Sequence, residues 1–167
     1  FIAENCTQCM SCISVCPDTA LPNMAQDVGV ILKTAAVNYV REPASRQALL
    51  AEIKGVEDRA RARMVAAVQA REKLPFVDII KDEVGRLEQV SPAARTQFIE
   101  ILEQLPIAYN GVPAIFRSLE QKQAGAGGVF SIFVSDLCKG CGECVQVCGD
   151  HDALRMVPET EDLNARH

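Results

Sequence analysis

Four cysteines lie close together in SDLCKGCGECVQVCGD, residues 135–150, at intervals of three, three and four. The stretch ENCTQCMSCISVCPD near the beginning of the chain repeats the same intervals, and the two runs contain all eight cysteines. Disulfides suit small secreted chains with scattered cysteines, whereas two tight clusters without a secretion signal indicate a reducing compartment and metal binding. Both runs are therefore candidate metal-binding loops.

The spacing also discriminates between metals. Zinc usually takes two separated pairs of ligands, and three cysteines at successive C-x2-C intervals would crowd a tetrahedral site. A cubane of iron and sulfide offers four separate iron corners, so a short loop can cover three of them while a fourth thiolate arrives from elsewhere. The pattern favours iron–sulfur clusters over zinc and over disulfides.

The first run is similar to the bacterial ferredoxin pattern C-x2-C-x2-C-x3-C-P, in which the fourth cysteine ligates the other cluster. The resemblance implies two 4Fe-4S clusters with crossed ligands. The first would take Cys6, Cys9, Cys12 and Cys148, and the second Cys138, Cys141, Cys144 and Cys16. Pro17 follows Cys16 as the pattern asks, whereas Gly149 replaces the proline after Cys148.

Short strands are expected to position these loops. The β-rich run VFSIFVSD, residues 129–136, precedes the second motif, and ALRMV, residues 153–157, is predicted to be its hairpin partner. The predicted fold class is α+β, a two-cluster ferredoxin-like fold of short hairpins and helices interrupted by a helical bundle. The predicted domains are a discontinuous ferredoxin-like domain over 1–24 and 129–158, a helical insertion over 25–128, and a tail or linker over 159–167.

The insertion is predicted to contain about five helices, because its apolar residues recur at helical spacing. Ser45 is a predicted N-cap, and Ser91 is another, with Pro92 at the first helical position. The run RARAR, residues 59–63, is interpreted as a solvated helix face. The ends of the insertion, near Ala25 and Gly128, are expected to lie close together.

Charge divides unevenly between the predicted domains. Residues 25–128 carry 14 Lys and Arg against 13 Asp and Glu, whereas the remainder carries 3 against 9. An acidic cluster domain suits basic partner proteins and argues against nucleic acid.

No stretch is apolar enough to span a bilayer and no signal peptide is evident, so a cytoplasmic location is expected. Because the chain starts at Phe1, five residues before a motif, we expect a piece of a longer polypeptide.

The stretch GGVFSIFVSDLCKGCGECVQVCGDHDALRMV resembles the ferredoxin domain of pyruvate:ferredoxin oxidoreductases and related 2-oxoacid:acceptor oxidoreductases. The resemblance implies an electron-transfer part of such an enzyme, with no substrate-converting site in this chain. Thiamine diphosphate, Mg²⁺ and coenzyme A are expected only in the remaining domains or subunits, and a ferredoxin or flavodoxin is the expected acceptor.

Three functions remain open at the level of sequence. One is the electron-transfer domain or subunit of a 2-oxoacid oxidoreductase. Another is a relay in a different redox complex, or a free ferredoxin. The third, from another class, is an iron–sulfur sensor or interaction protein in which the bundle signals.

Overall fold

The computed structural model describes residues 1–158, 160 and 161. Most of the tail predicted over 159–167 therefore lies outside the described residues. The elements, in chain order, are α1 (Ser11–Val15), β1 (Asn23–Asp27), α2 (Val28–Tyr39), α3 (Pro43–Ala70), α4 (Phe76–Gly85), α5 (Pro92–Glu103), β2 (Ile107–Ala108), α6 (Arg117–Lys122), β3 (Gly128–Ile132) and α7 (Glu143–Cys148). Short 3-10 turns cover Ala3–Asn5 and Gly149–His151.

The three strands form one antiparallel sheet in the order β1-β3-β2. Asp27 pairs with Gly128 and Asn23 with Ile132, so the two ends of the predicted insertion are adjacent, as expected. The prediction of a hairpin with residues 153–157 is wrong, because those residues contain no strand. The physical reason is that β3 is already hydrogen-bonded along both edges, to β1 and to β2.

One of the two predicted N-caps is confirmed and the other is wrong. The Ser91 hydroxyl accepts a hydrogen bond from the Ala94 amide at 3.3 Å, and Pro92 opens α5, as predicted. Ser45 is not a cap, because α3 begins two residues earlier, at Pro43, whose fixed φ suits the first helical turn. The Ser45 hydroxyl instead donates to the Glu42 carboxylate at 2.7 Å.

Five helices occupy residues 28–122, all of which are described, in agreement with the predicted number. Their inner faces pack in one apolar core that extends from Val28 to Val129. The interpretation of RARAR as a solvated face is wrong for its central residue, since Arg61 is only 3% exposed. Asp27, Glu57 and Glu120 surround its guanidinium, and these carboxylates offset the loss of hydration.

A second, smaller core surrounds the cysteine runs. It joins Leu21, Phe130 and Leu154 to Ala108 and Ile115, which lie in the region predicted as the insertion. The predicted boundary after residue 24 falls inside β1. The architecture is mixed α and β, and its description as an interrupted ferredoxin-like domain stays a prediction. None of the helices in the described part of the chain has both the length and the apolar character to cross a membrane.

Candidate iron–sulfur centres

Helices α1 and α7 pack against each other and bring the two cysteine runs together. Each helix begins just after a residue in the left-handed conformation, Met10 (φ 63°) before α1 and Gly142 (φ 80°) before α7. Helix α7 contains Cys144 and Cys148, and α1 contains Cys12 and ends directly before Cys16. The packing of the two helices therefore brings the last thiol of each run to the first three of the other.

Two cavities open between the runs. The first cavity is lined by Cys6, Cys9, Cys12 and Cys148, together with Ile132 and Leu154. The second cavity is lined by Cys16, Cys138, Cys141 and Cys144, together with Leu21 and Met156. The structure thus brings all eight predicted site residues together in two sets of four, each set combining three cysteines of one run with the fourth of the other.

The two sets of thiols have the number and type of ligands that a cubane takes. All eight cysteines are free thiols. Each set of four lines one cavity, and a cubane takes one thiolate at each of its four iron corners. Within residues 1–158, 160 and 161, no group of three metal-ligating side chains is placed to hold a single ion.

The cysteines of the two cavities differ in exposure. In the first cavity Cys6 and Cys12 are buried and Cys9 is exposed, whereas in the second both Cys138 and Cys141 are exposed and no cysteine is buried. Burial raises the pKa of the Cys6 thiol and raises that of Cys12 to about 11. Burial also raises the pKa of Cys144. A bare thiolate is therefore disfavoured at these positions, and positive iron would supply the compensating charge.

Backbone amides point at one sulfur beside each cavity. The Gln8 amide donates to Sγ of Cys6 at 3.3 Å, and the Ala20 amide donates to Sγ of Cys16 at 3.3 Å. Hydrogen bonds from Ser11 lower the pKa of Cys9, because they stabilise its thiolate. Donors to sulfur are one of the means by which proteins tune iron–sulfur clusters.

The sequence interpretation missed two residues that shape the first cavity, Gln8 and Gly111. Gln8 is buried at a backbone φ of 56°, where the second run has Gly140 at 68°. Gly111 lies directly on the first loop, since a Cβ there would be 2.5 Å from the carbonyl oxygen of Cys6. Aligning CTQCMSC with CKGCGEC could have identified Gln8, because it stands where the other run needs glycine. Nothing in the sequence indicates the partner of Gly111.

Comparison with known proteins supports the same chemistry. Residues 3–26 and 135–150 match the family model described as a 4Fe-4S binding domain. These stretches support a 4Fe-4S domain of the ferredoxin type. The chain is also 50% identical over 38 residues to a protein named pyruvate synthase subunit PorD from Thermotoga maritima. That similarity covers 23% of this chain and 37% of the relative's length. No solved structure matches the chain.

Proposed function

We propose that the protein transfers electrons through two 4Fe-4S clusters, one in each cavity, with crossed ligation. The observation that carries the proposal is the composition of the cavities, since each joins three cysteines of one run to the fourth of the other. Bound clusters of this kind each accept and release one electron. With four cysteines per cluster, every iron atom already has a protein ligand and cannot bind a substrate. The clusters therefore transfer electrons and do not convert a substrate.

The chain's own residues do three things for the clusters. The cysteines hold them, and the amides of Gln8 and Ala20 donate to ligand sulfurs. Apolar side chains such as Leu21, Ile132 and Leu154 line the cavities and exclude water. Low local polarity and few water contacts favour a low reduction potential, because they disfavour the added negative charge of the reduced cluster.

We assign the protein to the electron-transfer part of a 2-oxoacid:acceptor oxidoreductase of the pyruvate type. The partial similarity to a pyruvate synthase subunit supports this assignment. In that setting the remaining domains or subunits contain thiamine diphosphate, Mg²⁺ and coenzyme A, and a ferredoxin or flavodoxin accepts the electrons. A cytoplasmic location follows from the same assignment.

The second cavity is the proposed exit to the acceptor. Its thiols Cys138 and Cys141 are exposed, and so is the neighbouring apolar side chain of Leu137. Asp136 and Glu143 add negative charge to the same segment. A partner with a basic rim around its own redox centre would complement this surface.

Metal analysis tests the proposal directly. Protein prepared without oxygen should contain about eight iron and eight sulfide per chain, because two cubanes each contain four of both. Zinc at about two ions per chain would contradict it.

A reduction assay tests the assignment to a 2-oxoacid enzyme. Pyruvate and coenzyme A should reduce the clusters when the chain is combined with its thiamine-diphosphate-containing partner, and not when that partner is omitted.

The crossing of ligands is tested by two serine variants. Cys148→Ser should alter the EPR signal of the cluster in the first cavity, and Cys16→Ser should alter that in the second, because each fourth thiol lines the cavity of the other run. Cys9→Ser and Cys141→Ser identify the two signals. If each fourth-cysteine variant altered the signal of its own run instead, the ligation would not be crossed.

A further inference from the structure

Gln8 adopts a backbone conformation that glycine would adopt at lower energy. Its φ is 56°, in the left-handed region that an ordinary residue adopts only at an energetic cost. In the other cysteine run, the equivalent position is Gly140, at φ 68°. Strain that persists in a structure is held by surrounding contacts, and those contacts indicate what the residue does.

The contacts of the Gln8 side chain lead to the helical region about a hundred residues away. The side chain is 3% exposed. Its Oε1 accepts a hydrogen bond from the Val112 amide at 2.6 Å, and its Nε2 donates to the Ala108 carbonyl at 3.5 Å. No glycine could make these two bonds, which explains why glutamine is present despite its backbone strain.

The segment that holds Gln8 is itself fixed to the helices. The Tyr109 hydroxyl donates to the Leu74 carbonyl at 2.7 Å, beyond the end of α3. The Tyr109 ring also packs edge-on against Phe116, which is fully buried. The helical region therefore reaches Gln8 through a rigid connection, and the amide of the same Gln8 donates to Sγ of Cys6.

We propose that Gln8 is a positioning residue through which the helical region sets the reduction potential and lifetime of the first cluster. This inference rests on the proposed function. The side-chain bonds hold the Gln8 backbone so that its amide points at the Cys6 sulfur. A donor to that sulfur stabilises the added negative charge of the reduced cluster and raises its potential. The second cluster has no equivalent connection, because glycine occupies position 140.

The test compares Gln8→Met with Ser91→Ala in otherwise intact protein. Methionine keeps the length of the side chain and its water-excluding volume but removes the amide, and Met10 already adopts a left-handed conformation in this loop. Ser91→Ala removes the N-cap of α5 without touching the segment that holds Gln8, so it is a control for general destabilisation. Midpoint potentials are measured by EPR titration, with Cys9→Ser identifying the first cluster.

The first cluster should titrate at a lower potential in Gln8→Met, while the second is unchanged and Ser91→Ala moves neither. A chelator should remove the first cluster roughly fivefold faster, since a hydrogen bond contributes about 1 kcal/mol. Selective loss of about four irons in Gln8→Met, with Ser91→Ala keeping all eight, would also support the proposal.

Three results would overturn it: eight irons with both potentials unchanged, equal changes at both clusters, or an equal effect of Ser91→Ala. A wild-type protein without two clusters would instead refute the proposed function, so the two failures are distinguishable.

Discussion

Arg61 is the buried cation that joins both ends of the helical region. Its guanidinium donates to Glu57 at 2.7 Å, to Asp27 at 2.7 Å and to Glu120 at 2.9 Å. It also donates to the Gly127 carbonyl at 2.6 Å. The acceptors lie on α3, at the end of β1, on α6 and just before β3, so a single side chain fastens four parts of the chain where the sheet begins.

Arg61→Ala should lower the free energy of unfolding by about 3–5 kcal/mol, because it leaves buried carboxylates without their counter-charge. The matched control is Arg63→Ala, from the same sequence run. Arg63 is more exposed and pairs with the exposed Asp82. It also lies 3.4 Å from the buried Glu83, but Glu83 keeps its pairs with Arg59 and Arg86 when Arg63 is removed, so the loss should cost about 1 kcal/mol or less. Urea denaturation followed by circular dichroism measures both variants. Equal losses of unfolding free energy in the two variants would show that the buried ion pairs of Arg61 contribute no more to stability than those of Arg63.

The sequence could not identify Arg61 among the three arginines of its run. Residues four apart on a helix share a face and residues two apart do not, so either Arg61 or the pair Arg59 and Arg63 can face inward. Which one does so depends on Asp27 and Glu120, each at least 34 residues away in the chain. By contrast, the cysteines are recognisable because their spacing is local and repeated. The roles of Gln8 and Gly111 depend on contacts with distant segments and were missed for the same reason.

At the scale of elements, the connection between β2 and α6 packs on the first cysteine loop. A Cβ on Gly111 would lie 2.5 Å from the Cys6 carbonyl oxygen and 2.8 Å from the carbonyl carbon of Thr7. Both neighbours are backbone atoms, which cannot rotate out of the way as a flexible side chain could. This close approach therefore requires glycine.

Gly111→Ala should displace the first cysteine loop and reduce the iron content from about eight towards about four per chain, since only one cluster site is affected. Gly85→Ala is the control, because a Cβ there has no heavy atom within 4 Å and its helical backbone accepts alanine. That variant should keep all its iron and gain about 0.4–1 kcal/mol of stability. Full iron content in Gly111→Ala would contradict the assigned contact.

The helices were predictable and two of the strands were not, for physical reasons. Apolar residues at helical spacing and local caps such as Ser91 specify helices within short stretches of chain. Strand β1, Asn23–Asp27, is mostly polar, and β2 contains only two residues. Both exist because β3 offers them hydrogen-bonding edges, which is a property of the assembled sheet rather than of either segment.

For the whole molecule, the uneven charge predicts an effect of salt on electron transfer. Outside residues 25–128 the chain carries 3 basic against 9 acidic side chains, and bound clusters add further negative charge. Transfer to a basic one-electron acceptor protein should therefore slow by on the order of tenfold between about 0.01 and 0.15 M salt, as the Debye length falls from about 30 to about 8 Å.

An uncharged small-molecule acceptor is the control and should show little dependence on salt. The double variant Asp136→Asn, Glu143→Gln should flatten the dependence for the basic protein, because both acids lie in the segment next to the second cavity. A rate that is independent of salt with the basic acceptor would contradict charge-guided docking through this face.

The crossed composition of the cavities also determines when the protein can finish folding during its synthesis. Cys16 cannot meet all its partners until Cys138, Cys141 and Cys144 have been translated, which takes roughly 6–26 s at about 5–20 residues per second. The helices between the two runs pack in an apolar core whose residues all precede the second run in the chain. On the proposed function, iron would enter either cavity only at a late step, after both cysteine runs have left the ribosome.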